Sequence, residues 1–233
     1  MSRGYFITGT GTGVGKTLVS CALLHAFAEQ GHTVIGMKPV AAGCENGKWM
    51  DVELLAAASN VTAPREQINP YALIPPIAPH IAAARAGIEI DIDIIYHACL
   101  ELGKIADVVI VEGIGGFLVP LNDHQDSADM AKALGLPVIL VVGIQLGCLN
   151  HALLTAHAVR ATGLPLAGWI ANQIDPQMIA LDENVSALTQ RLGCPLLGVL
   201  PFESSADTEK LSVLLNVGGM EDPHSYTSFG VDG

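Results

Sequence analysis

The chain has 233 residues, of which half are hydrophobic and only 5% aromatic. This length suits one large domain or at most two small ones, and Ala, Val, Leu and Ile must fill the core, as in helices laid over a buried parallel sheet. The formal charge of −12, from 11 Lys and Arg against 23 Asp and Glu, argues against a nucleic-acid partner, whose phosphates need clustered basic residues, and against an anionic membrane surface.

Tyr5–Thr8 reads as the first strand. It runs into the glycine-rich turn Gly9-Thr10-Gly11-Thr12-Gly13-Val14-Gly15 and then into a helix from Lys16 to about Gln30, where Val19, Leu23, Leu24 and Phe27 recur at helical spacing. Thr33–Met37 is the next strand and delivers Lys38-Pro39-Val40 at its carboxyl end. A glycine-rich loop follows to Gly47, then a helix over Asp51–Ser59. Val61–Pro79 holds five of the 13 prolines and reads as loop and extended chain. Helices are expected over His80–Arg85 and Ile92–Ile105. The β-branched run Val108–Val111 is a buried strand ending at Glu112-Gly113-Ile114-Gly115-Gly116. Then come a helix (Ser127–Leu134), a strand (Val138–Val142), a helix (Asn150–Thr162) and a strand (Ala167–Ala171) that delivers Asn172. The alternation continues with Met178–Leu192, Leu196–Leu200 and a last helix near Thr208–Leu215.

Strands alternating with helices imply right-handed β-α-β units, a mostly parallel sheet with helices on both faces, and ligands at the carboxyl ends of the strands. Gly9–Thr17, Lys38–Gly43, Glu112–Gly116 and Asn172 all follow strands, so all four should converge on one edge. Residues 1–215 are expected to form a single domain. Residues 216–233, polar and without periodicity, are expected to form a poorly ordered tail.

The five cysteines are odd in number and lack Cys-x-x-Cys spacing, so neither a disulfide framework nor a zinc site is suggested. The first strand leaves no room for a signal peptide, and no apolar run is long enough to cross a bilayer. A cytoplasmic protein is the expectation.

The Gly9–Thr17 turn carries the chemistry. Its backbone N–H groups form a concave cradle, the helix N-terminus adds partial positive charge, Lys16 can reach β- and γ-phosphates, and the Thr17 hydroxyl can ligate Mg²⁺. The loop is one residue longer than the usual phosphate-binding pattern, because its first glycine is Gly9 rather than residue 10. Glu112, at the tip of a buried strand, is placed to hold Mg²⁺ or to cap the following loop. Lys38 is either a surface lysine or a second cation for a transferring phosphoryl group. By spacing, Asp51 is a first-turn helix acid, Asn150 an N-cap, Asn172 a turn cap and His80 a loop residue. His151 and His157 are six apart and share no helical face.

Together these motifs resemble the dethiobiotin synthetase family from about Tyr5 to Phe202. The resemblance rests on the longer loop ending in Gly15-Lys16-Thr17, on Lys38-Pro39-Val40-Ala41, Asn69-Pro70-Tyr71, Pro79-His80 and Val111-Glu112-Gly113. It also rests on Leu136–Gly143, Leu146-Gly147-Cys148-Leu149-Asn150-His151-Ala152, Ala167-Gly168-Trp169-Ile170-Ala171-Asn172 and Leu197-Gly198 with Pro201. It implies an ATP- and Mg²⁺-dependent ligase that closes a ureido ring on 7,8-diaminononanoate and CO₂. The implied route passes through a carbamate and a carbamic–phosphoric anhydride and releases ADP and phosphate. Lys38, Lys16 and Thr12 take the catalytic places. Gly13, Val14, Gly15, Lys16, Thr17, Leu18, Asp51, Glu112, Gly113, Ile114, Gly115, Asn172, Gln173, Pro201, Phe202 and Glu203 form the implied nucleotide site. Thr17, Asp51 and Glu112 are the implied Mg²⁺ ligands, which replaces the helix-acid reading of Asp51. The resemblance further implies a homodimer with the substrate at its interface: Thr12, Lys38 and Ala42 from one chain, Gly147, Cys148, Leu149 and Asn150 at a helix N-terminus of the other.

Three positions depart from the family pattern. Ala42 stands where a serine hydroxyl binds substrate, a contact worth about 1.5–3 kcal/mol when the partner is charged. Gly13 stands where a loop acid is often found. A tyrosine that reaches the substrate carboxylate in some members corresponds to about Asn184. Two other classes match parts of the sequence. A partitioning or division-site switch ATPase shares the fold, but usually has a lysine where Gly11 stands and a basic or amphipathic surface. An amidoligase of the cobyrinate or CTP-synthetase type would need a glutaminase partner.

Overall fold

The computed structural model describes residues 3–202, 207–218 and 220. Its elements in chain order are β1 (Arg3–Gly9), α1 (Lys16–Glu29), β2 (Val34–Met37), β3 (Val40–Ala42), α2 (Met50–Ala58), α3 (Arg65–Ile68), β4 (Tyr71–Leu73), α4 (Pro79–Ala86), α5 (Ile92–Leu102), β5 (Val108–Glu112), α6 (Ser127–Leu134), β6 (Val138–Ile144), α7 (Cys148–Ala161), β7 (Leu166–Gln173), α8 (Leu181–Leu192), β8 (Leu196–Leu200) and α9 (Thr208–Ser212).

Six strands form one sheet in the order β2-β5-β1-β6-β7-β8, every pair parallel. After β1 the chain runs to the edge strand β2, returns to insert β5 beside β1, then crosses to β6 and builds the other side outward. Strand order therefore reverses at β1, and the crevice beyond its carboxyl end is where a parallel sheet opens to a ligand. The loop that leaves β1 there is the glycine-rich turn.

Alternation along β1 sends its side chains into opposite layers. Tyr5 and Ile7 pack with Leu23, Leu24 and Phe27 of α1 and Leu211 of α9, whereas Phe6 packs with Ile95 of α5 and Met130 of α6. Farther along the sheet, Leu140 and Trp169 meet Ala152 of α7 and Leu188 and Leu192 of α8. Helices cover both faces, as the sequence predicts. Among the described residues no helix is long and apolar enough to cross a membrane.

Local signals explain where elements agree with expectation and where they shift. α6 starts at Ser127 as predicted because Asp126 and Asp129 form a reciprocal capping box. α7 starts at Cys148, two residues before the expected Asn150, because Gly147 takes the left-handed conformation at φ 92° and turns the chain into the helix. β3 and β4 pair in parallel where the sequence predicts a loop after Lys38-Pro39-Val40 and loop and extended chain over Val61–Pro79; three residues each are too short for a period-two pattern. α3 also lies in that proline-rich stretch, and Pro64 directly precedes it.

The stretch after α9 is anchored at its start. The Asn216 N–H donates to Leu197 O at 2.7 Å, Val217 and Met220 are buried, and the Tyr5 hydroxyl donates to Met220 O. The rest of the tail expected from Asn216 onward lies outside the described residues, as does Glu203.

Candidate active site

The turn after β1 prepares the N-terminus of α1 for an anion. Gly15 is the N-cap residue, at φ 87°, and has no side chain to cap the helix. First-turn N–H groups are therefore left for a ligand. Glycine is required twice over at this position. Its φ is left-handed, and a Cβ would lie 2.1 Å from Asn172 Nδ2. That amide donates to Val14 O at 2.9 Å, so the tip of β7 braces the loop from behind. Lys16 folds over the loop and donates to Gly11 O at 2.8 Å. Burial, followed by the neighbouring charge of Lys38, brings its ammonium down to about 8.

Beside the loop, three strand and helix ends meet in one charged cluster. Lys38 follows β2, and its Nζ lies 2.5 Å from Glu112 Oε1 at the end of β5, 3.1 Å from Asp51 Oδ2 in the first turn of α2, and 3.1 Å from Gly113 O. The Thr17 hydroxyl donates to the same Glu112 Oε1 at 2.9 Å. Lys38 and Glu112 are 3% and 1% exposed, whereas the Asp51 side chain is 49% exposed. The cluster is thus closed on the protein side and open on one flank. Burial works against the charge on Lys38, but Glu112 and then Asp51 outweigh it and hold the ammonium above its ordinary value. Burial likewise opposes the charge on Asp51, and Lys38 outweighs it, holding that carboxyl below the usual range. The backbone of Lys38 is pinned by its N–H to Ile68 O and by Asn69 Nδ2 to its carbonyl.

A cavity of about 800 Å³ opens over this cluster. Gly11, Thr12, Gly13, Gly15, Lys16 and Thr17 form its base together with Lys38, Asp51 and Glu112. Ala42 and Pro76–Pro79 make one wall, and Ile114, Gly115, Gly116 and Val119 the other. Three of the four expected clusters therefore converge on one space. The sequence reads Pro76–Pro79 as loop and extended chain, with Pro79 also in the Pro79-His80 motif, and Val119 carries no signal.

The remaining predicted residues lie elsewhere. Asn172 sits behind the loop rather than in the cavity; it is 3% exposed, and its Oδ1 is buried without a hydrogen-bond partner among the described residues. Gln173 ends β7, and its Oε1 accepts from the Phe202 N–H at 3.4 Å. Pro201 and Phe202 are exposed. Leu18 lines an adjoining depression with Cys21, Leu54 and Thr208. Val14 is buried beneath the loop, and Gly113 donates its N–H to Ile7 O at 2.9 Å. Gly147, Cys148, Leu149 and Asn150 open α7 away from this chain's cavity. Asn184 stands beside them, its Oδ1 3.8 Å from the Cys148 thiol.

The donors around Lys38 suit a hard divalent cation. Two carboxylates line the Lys38 ammonium, the Thr17 hydroxyl meets the same Glu112 Oε1, and Glu112 Oε2 is buried without a hydrogen-bond partner among the described residues. Among the described residues no group of three or more His, Cys, Asp and Glu could hold a metal ion. A cation here would need further oxygens from water and phosphate, which is the habit of Mg²⁺ rather than of zinc.

The parallel sheet, the cradle at its reversal point and the Lys-Thr helix start define a P-loop nucleotide-binding α/β protein. Solved structures agree at the level of fold. The division ATPase MinD of Pyrococcus furiosus superposes with a TM-score of 0.58 at 18% identity, covering 96% of this chain and 93% of that one. FtsY of Thermotoga maritima gives 0.51 at 16%, covering 90% and 64%. A family model described as an AAA domain matches residues 3–210. Sequence relatives are far more similar. The ATP-dependent dethiobiotin synthetase BioD of Nitrosospira multiformis is 70% identical over 93% of this chain and 96% of its own length. The enzymes of the same name from Aromatoleum aromaticum and Xanthomonas oryzae are 54% and 49% identical, over 93% and 87% of this chain and 98% and 92% of theirs. The chain belongs to the ATP-dependent dethiobiotin synthetase family.

Proposed function

We propose that this enzyme closes the ureido ring of dethiobiotin from 7,8-diaminononanoate, CO₂ and ATP, with release of ADP and phosphate. One amine of the substrate adds to CO₂ and loses a proton to give a carbamate. A carbamate oxygen attacks the γ-phosphorus, and ADP leaves. The second amine then attacks the carbonyl carbon of the resulting anhydride, expels phosphate and closes the ring. The observation that carries this reading is the shared cavity: Lys16, Thr17, Lys38 and Glu112 meet Thr12 there, beneath walls of Ala42, Pro76, Ile77, Ile114 and Val119. A charged base beneath apolar walls suits a phosphoryl transfer to a substrate with an alkyl chain.

In this reading the first-turn N–H groups of α1 and Lys16 hold the β- and γ-phosphates and screen their charge. Thr17, Asp51 and Glu112 hold Mg²⁺, which when bound neutralises charge that builds on the terminal phosphates. Lys38 stabilises the carbamate and the departing phosphoryl oxygens, and Thr12 orients the carbamate from the opposite side of the loop. The buried, unpartnered Oδ1 of Asn172 supports a contact with the amino group of adenine, with Gln173, Pro201, Phe202 and Glu203 completing that subsite.

The start of α7 serves a partner subunit. Gly147 leaves its first turn uncapped, and Leu146 and Leu154 beside it are 93% and 60% exposed. Those features support a homodimer in which Gly147–Asn150 of one chain hold the substrate carboxylate of the other; the five free cysteines suit a reducing, cytoplasmic setting. A single turnover with ¹⁸O-labelled CO₂, faster than its exchange with water, tests the route. Label should appear in the released phosphate; phosphate free of label would exclude attack by a carbamate oxygen.

A further inference from the structure

An ammonium group has three protons to donate. All three of Lys38 are engaged, by Glu112 Oε1, Asp51 Oδ2 and Gly113 O. In this arrangement Lys38 has nothing left to offer a reactant in the cavity. Meanwhile Glu112 presents a second oxygen on the same carboxylate, buried and without a hydrogen-bond partner among the described residues. Lys38 and the hydroxyl of Thr17 share Oε1, so the cluster is organised around one positive charge placed between two carboxylates from different elements.

We infer that Lys38 is a displaceable counter-ion. Its ammonium fills the cation position between Asp51 and Glu112, and binding of a divalent cation there would release the side chain toward the cavity. The inference rests on the reading of Thr17, Asp51 and Glu112 as the metal seat. Its physical basis is exclusion. An ammonium and a dication drawing on the same two carboxylate oxygens repel each other, most strongly on the buried Glu112 side of the cluster. Without either, Glu112 would be a buried and unpaired charge, which is costly. One cation must therefore be present, and two cannot share the position. The flexible four-carbon stem of lysine lets the ammonium swing away while the pinned backbone stays fixed. The consequence is an ordering device: the lysine that stabilises the transferring phosphoryl group becomes available only after the metal seat is filled.

The test uses Mn²⁺ as the probe and reads free Mn²⁺ by electron paramagnetic resonance, with folded, nucleotide-free protein. Lys38→Met should bind Mn²⁺ about tenfold or more tighter than the unaltered enzyme, because the competitor is gone. Lys16→Met removes the same charge from a neighbouring position without vacating the seat and should gain markedly less. An unchanged affinity in Lys38→Met, or an equal gain in Lys16→Met, would overturn the inference. Glu112→Gln should lose Mn²⁺ binding; if it binds as the unaltered enzyme does, the metal-seat reading fails instead. On the unaltered enzyme, reductive methylation mapped by mass spectrometry gives a second reading that needs no variant. Lys38 should be modified faster at saturating Mn²⁺ than without metal, and equal or slower modification would contradict its release.

Discussion

Gly15→Ala tests whether the tip of β7 truly braces the phosphate loop. At φ 87° an L-residue is strained by about 1–2 kcal/mol. The added Cβ would stand 2.1 Å from Asn172 Nδ2, a contact that cannot persist, and forcing extra volume into a packed site costs about 1–3 kcal/mol. If the amide withdraws, its bond to Val14 O is lost, about 1 kcal/mol more. The expected loss of stability is therefore about 3–6 kcal/mol, measured by urea unfolding without nucleotide. ATP affinity should fall as well, because the loop loses its support. The double variant Gly15→Ala/Asn172→Ala separates the contributions: removing the obstacle should return about 1–3 kcal/mol of the loss and leave the φ strain. A loss below about 1 kcal/mol, or strict additivity of the two substitutions, would refute the bracing contact.

Three further outcomes are expected. Lys38→Ala should cut turnover by about a hundredfold or more while nucleotide still binds. The protein should also lose about 3–5 kcal/mol of stability, because Glu112 is left buried and unpaired; an unchanged turnover number would remove Lys38 from the reaction. Ala42→Ser puts a hydroxyl back on the cavity wall and should lower the KM for the diamine, and no change or a rise would show that the wall meets the substrate in another way. The thiols of Cys21 and Cys194 are pushed up to about 12, chiefly by burial. A raised thiol pKa means less thiolate below it, about one part in ten thousand at pH 8. Iodoacetamide at that pH should leave both unmodified in the folded enzyme and label both after unfolding. Rapid labelling of the native protein would contradict the burial of Cys21 and the partial burial of Cys194.

What the sequence discloses here depends on how local the signal is. Strand, cradle and helix are contiguous from Tyr5 through Phe27, so the phosphate site is legible without the fold. Glu112 is legible because a continuous Val-Val-Ile-Val run must be a buried strand, whose end lies at the ligand edge. Asp51 was different: its spacing fits a first-turn helix acid, and only the fold brings it to Lys38. The contact between Asn172 and the loop spans 158 residues, and nothing around Asn172 announces it. The Pro76–Pro79 wall escaped because prolines mark an irregular path without saying what the path encloses. The pairing of β3 with β4, which carries Ala42 to the cavity, was hidden for the related reason that three residues make no pattern.

Phosphoryl transfer in this cavity is expected to be committed to ring closure. Phosphate release measured with ATP and Mg²⁺, in the presence and absence of 7,8-diaminononanoate and bicarbonate, tests it most directly. Little phosphate is expected without the diamine and, with both substrates, one phosphate for each cyclic urea formed. Phosphate released at the same rate regardless of the diamine, with no cyclic urea, would contradict it.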